Sequence, residues 1–183
     1  MDPQAVIDHT RRWIAAVVIE LNLCPFAQRV FQGEKIRYVV TDAVDEKALF
    51  EKLADEILAL TAAPAATIET TLLIHPHALS DYLAYNDFLD PAEQLIEDLG
   101  LAGVVQIAGF HPQYLFADSE PDAVENFTNR SPYPMLHLLR EDSVTAVASD
   151  PDELLEIPQR NIETLRRLGQ DGIQARLKAI EGK

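Results

Sequence analysis

Three short runs of β-branched and apolar residues, RYVVT at 37–41, TIETTLLI at 67–74 and GVVQIAGF at 103–110, alternate with stretches of helical periodicity. No other feature constrains the fold as much. A strand followed by a helix and then another strand crosses over with a right hand and pairs in parallel. The alternation predicts an α/β fold, with a small, mainly parallel three- to four-stranded sheet flanked by several helices. Residues 3–21 place Val6, Ile7, Ile14, Val17, Val18 and Leu21 at helical spacing, and residues 45–60 read as an amphipathic helix. Residues 79–100, LSDYLAYNDFLDPAEQLIEDLG, read as two helical pieces. Asp90 caps the second, Pro91 opens it and Gly100 stops it. PMLHLLRE at 134–141 reads as helix, and so does SVTAVAS at 143–149 with Ser143 as its cap. Residues 152–180 are helical with interruptions at Pro158, Gly169 and Gly172.

With 183 residues, 48% of them hydrophobic and 25% charged, the chain is expected to form one domain, residues 1–183, and to bury a core without disulfides. A single cysteine cannot form an internal disulfide, which suits a reducing compartment. The apolar run at 13–18 is too short to span a bilayer. A cytoplasmic protein is expected. Fifteen basic residues against thirty acidic ones give a net charge of −15, a field that repels nucleic acid and anionic membranes. An anionic ligand would need a local basic or helix-dipole site. The chain has no glycine-rich phosphate loop and no G-x-S-x-G, H-E-x-x-H or C-x-x-C pattern.

The residues suited to chemistry lie between the periodic segments, where function concentrates. Cys24 precedes Pro25, a residue favoured at the first helical position, so Cys24 reads as the N-cap of PFAQRVF. A thiolate there gains from the helix dipole and free N–H groups, which would lower its pKa, and Arg29 would add to this. The alternative is a small apolar residue buried beside Leu23 and Phe26. The second and third strands both end in His-Pro, at His75 and His111, with His77 two residues after the first. If these strands are neighbours, His75 and His111 meet at the carboxyl edge of the sheet, where α/β proteins bind ligands. With a thiolate or carboxylate, and with His77 if the Pro76 turn redirects it, they would make a zinc or iron site, or they would serve as acid and base. The plainer reading has each histidine capping loop carbonyls. His9 and His137 read as surface or packing residues. In ENFTNRSPYPMLHLLRE, Ser131-Pro132 reads as a helix start, with Arg130 beside it to hold a carboxylate or phosphate and Asn126 and Asn129 to orient it. Otherwise Arg130 pairs with Glu125, Asp118 or Asp122 to hold its loop.

NLCPFA, IHP, GFHPQYLFAD and VENFTNRSPYPMLHLLRE, in this order, resemble an uncharacterised bacterial family, domain of unknown function 1415. The resemblance spans nearly the whole chain and implies a bacterial, single-domain, soluble protein. It implies no catalytic residues. The residues themselves suggest a small enzyme acting on an anionic molecule. Cys24 would be its nucleophile or a ligand, His111 its acid/base, and Asn129, Arg130 and Ser131 its anion clamp under the loop at 111–134. The rival readings are a metal site at His75, His77 and His111, or a protein that binds a ligand or partner without catalysis.

Overall fold

The computed structural model describes residues 1–146 and 151–181, with the backbone alone at 151–154. Asp2 opens helix α1 (Pro3–Trp13) by accepting from the Gln4 N–H, and the chain widens into a π-helical turn over Ile14–Ile19. Helix α2 (Ala27–Gln32) leads into strand β1 (Ile36–Val40). Asp45 then caps helix α3 (Glu46–Ala62) through the Ala48 N–H. Strand β2 (Thr70–Ile74), helix α4 (Tyr82–Asp98) and strand β3 (Val105–Phe110) follow in the anticipated alternation. Gly100 ends α4 at φ +70°, a conformation that glycine adopts without penalty. Asp81, not Asp90, caps α4, and Pro91 lies inside one continuous helix rather than starting a second.

The main correction is PMLHLLRE, which forms strand β4 (Met135–Arg140) rather than a helix. A strand covered on both faces reads as an unbroken apolar run, and over so short a stretch its periodicity cannot be told from a buried helix. Strand β4 inserts between β2 and β3, giving the order β1-β2-β4-β3. It is antiparallel to both neighbours, while β1 and β2 are parallel. The sheet is therefore mixed, not mainly parallel, although the α/β class holds. Helix α5 (Glu141–Thr145) begins directly after β4 with Arg140 at its cap position, ahead of the expected Ser143. The rest of the helix expected at 143–149, from residue 147 on, lies outside the described residues. Helix α6 (Pro151–Glu181) runs through Pro158 but is broken at Gly169, where φ is 72° and ψ 171°.

Side chains alternate across the sheet. Leu72, Ile74 and Met135 meet Val6, Trp13, Val17, Leu165 and Ile173 from α1, the π-turn and α6. Leu73, Leu136 and Leu138 meet Leu53, Ile57, Tyr85 and Phe88 from α3 and α4 on the opposite face. Arg140 ties the layers together, its guanidinium donating to the carbonyls of Leu60, Ala63 and Ile68. Among the described residues no helix is long and apolar enough to cross a membrane.

Candidate functional site

A cleft of about 710 Å³ opens on the α1/α6 face of the sheet. Its floor is Ala108 and Phe110 of β3; its walls include Cys24, Phe116 of the loop after β3, and Asn161 of α6. Cys24 is placed there by the end of the π-turn. The Leu23 N–H donates to Val18 O at 2.9 Å, and Asn22 turns the chain at φ 52°, a left-handed conformation that asparagine tolerates. Helix α2 starts at Ala27, with Phe26 at the cap position. Cys24 is thus not the cap, although its carbonyl accepts from the Ala27 N–H at 3.2 Å. Burial pushes the thiol pKa up, against the lowering pull of the Phe26 and Ala27 N–H groups and of Arg160. The expected fall in pKa is reversed because desolvation of a thiolate outweighs two N–H dipoles.

Behind Cys24 lies an inner chamber of about 50 Å³, which shares Val18, Cys24 and Phe110 with the cleft and is walled by Trp13, Leu72 and His137. Burial pushes the His137 pKa down to about 4, and because the Thr70 hydroxyl donates to Leu138 O at 2.6 Å, its Oγ1 is left to accept from His137 Nε2–H, also at 2.6 Å. Asn161 belongs to the apolar stripe of α6, one turn from both Ile157 and Leu165, and is 3% exposed. Its Nδ2 donates to Leu23 O at 2.8 Å.

The histidines of the His-Pro loops lie on the other face. Because β4 separates β2 from β3, His75 and His111 are not strand neighbours; both rings pack against Tyr85, with centroids 5.9 and 5.0 Å away. His75 Nδ1–H donates to Ala78 O at 2.9 Å. His111 accepts from the Gln113 N–H on Nδ1 at 3.0 Å, and its Nε2–H donates to Leu79 O at 3.2 Å. Burial lowers both pKa values, that of His75 to about 4. His77 is exposed. Among the described residues no three His, Cys, Asp or Glu side chains gather as a metal would require.

Arg130 staples the loop at 111–134: it donates to Tyr114 O at 3.0 Å and Pro121 O at 2.7 Å, and it stacks over Phe127. Glu125, one of its anticipated partners, instead pairs with Arg166 at 2.7 Å. Ser131 Oγ donates to Tyr133 O at 2.7 Å in the turn that leads into β4, so Ser131-Pro132 starts no helix. Asn126 is likewise a loop staple, bonded to Phe116 N and Glu120 O. Asn129 lines the Cys24 cleft, its Nδ2 donating to Gly109 O at 2.9 Å. The structure therefore brings together Cys24 and Asn129, and separately His75 and His111. Arg130 and Ser131 face a smaller depression of about 220 Å³ beside His9. Sequence reasoning missed Asn161, whose signal was an amide at an otherwise apolar position of a helix.

A family model described as "Protein of unknown function (DUF1415)" matches residues 5–175. The chain belongs to this family. The DUF1415 match takes in every wall of the cleft named above, from Val18 to Asn161. No curated protein and no solved structure is significantly similar to the chain.

Proposed function

We propose that the protein binds a small, mainly apolar molecule in the cleft at Cys24. One observation carries this reading: a cavity of ligand size, about 710 Å³, has an apolar floor and is lined by polar groups that include Cys24, Asn129 and Asn161, with Asp118, Glu125 and Arg166 as its charged members. A thiol whose pKa is raised by burial stays protonated near neutral pH, which favours contact with the ligand over attack on it. A second reading, thiol chemistry on the bound molecule, draws on the Phe26 and Ala27 N–H groups that face the sulfur.

Cys24 is the only cysteine, so alkylation by iodoacetamide reports on the cleft alone. A panel of small aliphatic and aromatic compounds is expected to contain members that slow this alkylation. Ala108→Phe, which fills the floor, is expected to weaken their binding by about tenfold or more. The alkylation rate is expected to rise with a midpoint above that of an ordinary thiol, whereas a midpoint below it would move the weight to the nucleophile. If no compound protects Cys24, or if Ala108→Phe changes nothing, the binding reading fails.

A further inference from the structure

The bond from Asn161 Nδ2 to Leu23 O fixes which end of the amide is which. Oδ1 is left buried and without a hydrogen-bond partner among the described residues. Buried amide oxygens are nearly always paired, so an unpartnered one on a residue that lines a ligand-sized cavity calls for a partner, and the cavity is where one can enter. An acceptor-only oxygen selects a donor. Ser119 Oγ, on the same cleft, is a second buried atom without a partner among the described residues, and a hydroxyl places no veto on a donor. Charge points the same way. Asp118, Glu125 and Arg166 line the cleft, and Arg166 is engaged with Glu125 at 2.7 Å. Asp118 is exposed and has no ion-pair partner among the described residues, so an anionic head group would meet a like charge there, weakened by solvent, with Arg160 near Cys24 as the opposing cation. Arg130, the cation that would have welcomed an anion, does not line this cleft.

Resting on the binding reading above, we propose that the ligand carries a neutral or cationic N–H donor, an amide or amine, that seats on Asn161 Oδ1. Its apolar body lies over Ala108 and Phe110.

Hexylamine, hexanamide and hexanoate share a carbon skeleton and differ only in the head group. Each is titrated against the full chain by ligand-observed NMR, with protection of Cys24 from iodoacetamide as the second readout. The amine and the amide are expected to bind about tenfold tighter than the carboxylate or better. In Asn161→Leu that preference is expected to shrink to about threefold or less. Hexanoate binding as tightly as the other two overturns the proposal, as does a preference that survives in Asn161→Leu. If that variant does not fold, having lost the bond to Leu23, the head-group series on the unaltered chain decides alone. If none of the three protects Cys24 while other small compounds do, the donor assignment falls and the binding reading stands. If no compound protects it, both fall.

Discussion

His75 shows how one buried imidazole links acidity to stability. Its ring is 0% exposed, packs against Tyr85 and keeps its Nδ1–H on Ala78 O, leaving Nε2 without a partner among the described residues. Burial lowers its pKa from 6.5 to about 4. Between those values the unfolded chain binds a proton that the folded chain refuses. Its contribution is complete above pH 6.5 and is lost as the pH falls toward 4. At pH 5 the loss from this residue is about 2 kcal/mol. Urea unfolding of the wild type and of His75→Phe at pH 7 and pH 5 measures it, and the variant's drop is expected to be smaller by about that amount. An equal drop in both proteins would mean that His75 titrates normally. The sequence marked His75 as unusual because it ends an apolar strand, yet its protonation state depends on burial, with a further lowering from His111, far along the chain. The same limit applied to Asn161, whose partner Leu23 lies far off along the chain.

At the scale of the element, β4 reads as helix in the sequence because its residues are leucine-rich and doubly buried, so neither propensity nor periodicity separates helix from strand. Its context decided: hydrogen-bonding edges on both β2 and β3 were open to it. Arg140, the last residue of β4, donates to the carbonyls of Leu60, Ala63 and Ile68 and thereby caps the C-terminus of α3. A lysine at this position has neither the planar fork nor the reach to serve three carbonyls. Arg140→Lys is expected to cost about 2 kcal/mol by urea unfolding, since buried carbonyls lose charge-assisted bonds. A change under about 0.5 kcal/mol would show that the clamp is a surface contact only.

For the whole molecule, the decisive fact is that the two faces of the sheet hold separate groups. Cys24 and Asn129 share a cleft under α6, whereas His75 and His111 pack on Tyr85 of α4. A Cys24–His111 acid/base pair would have to bridge the two faces of the sheet, since the His111 ring packs on Tyr85 and Cys24 lines the opposite cleft. His111→Gln is therefore expected to leave the alkylation rate of Cys24 unchanged to within about twofold. The stability effects of Cys24→Ala and His111→Gln are expected to add to within about 0.5 kcal/mol. A rate that falls well beyond this range would place the two groups in one site.

The sequence by itself determined the α/β class, the positions of β1, β2 and β3, the stop of α4 at Gly100, and the loops in which unusual side chains sit. These follow from local rules of periodicity, capping and turn chemistry, which act within a few residues. Only the tertiary structure decided that β4 enters the sheet antiparallel between β2 and β3, because strand pairing joins segments that the chain keeps apart. The same decision put the histidines on one face and the thiol on the other, since face is set by register and not by residue type. It also supplied the partners of Arg130 within its own loop, the carbonyls of Tyr114 and Pro121, because those acceptors are brought within reach only when the loop folds.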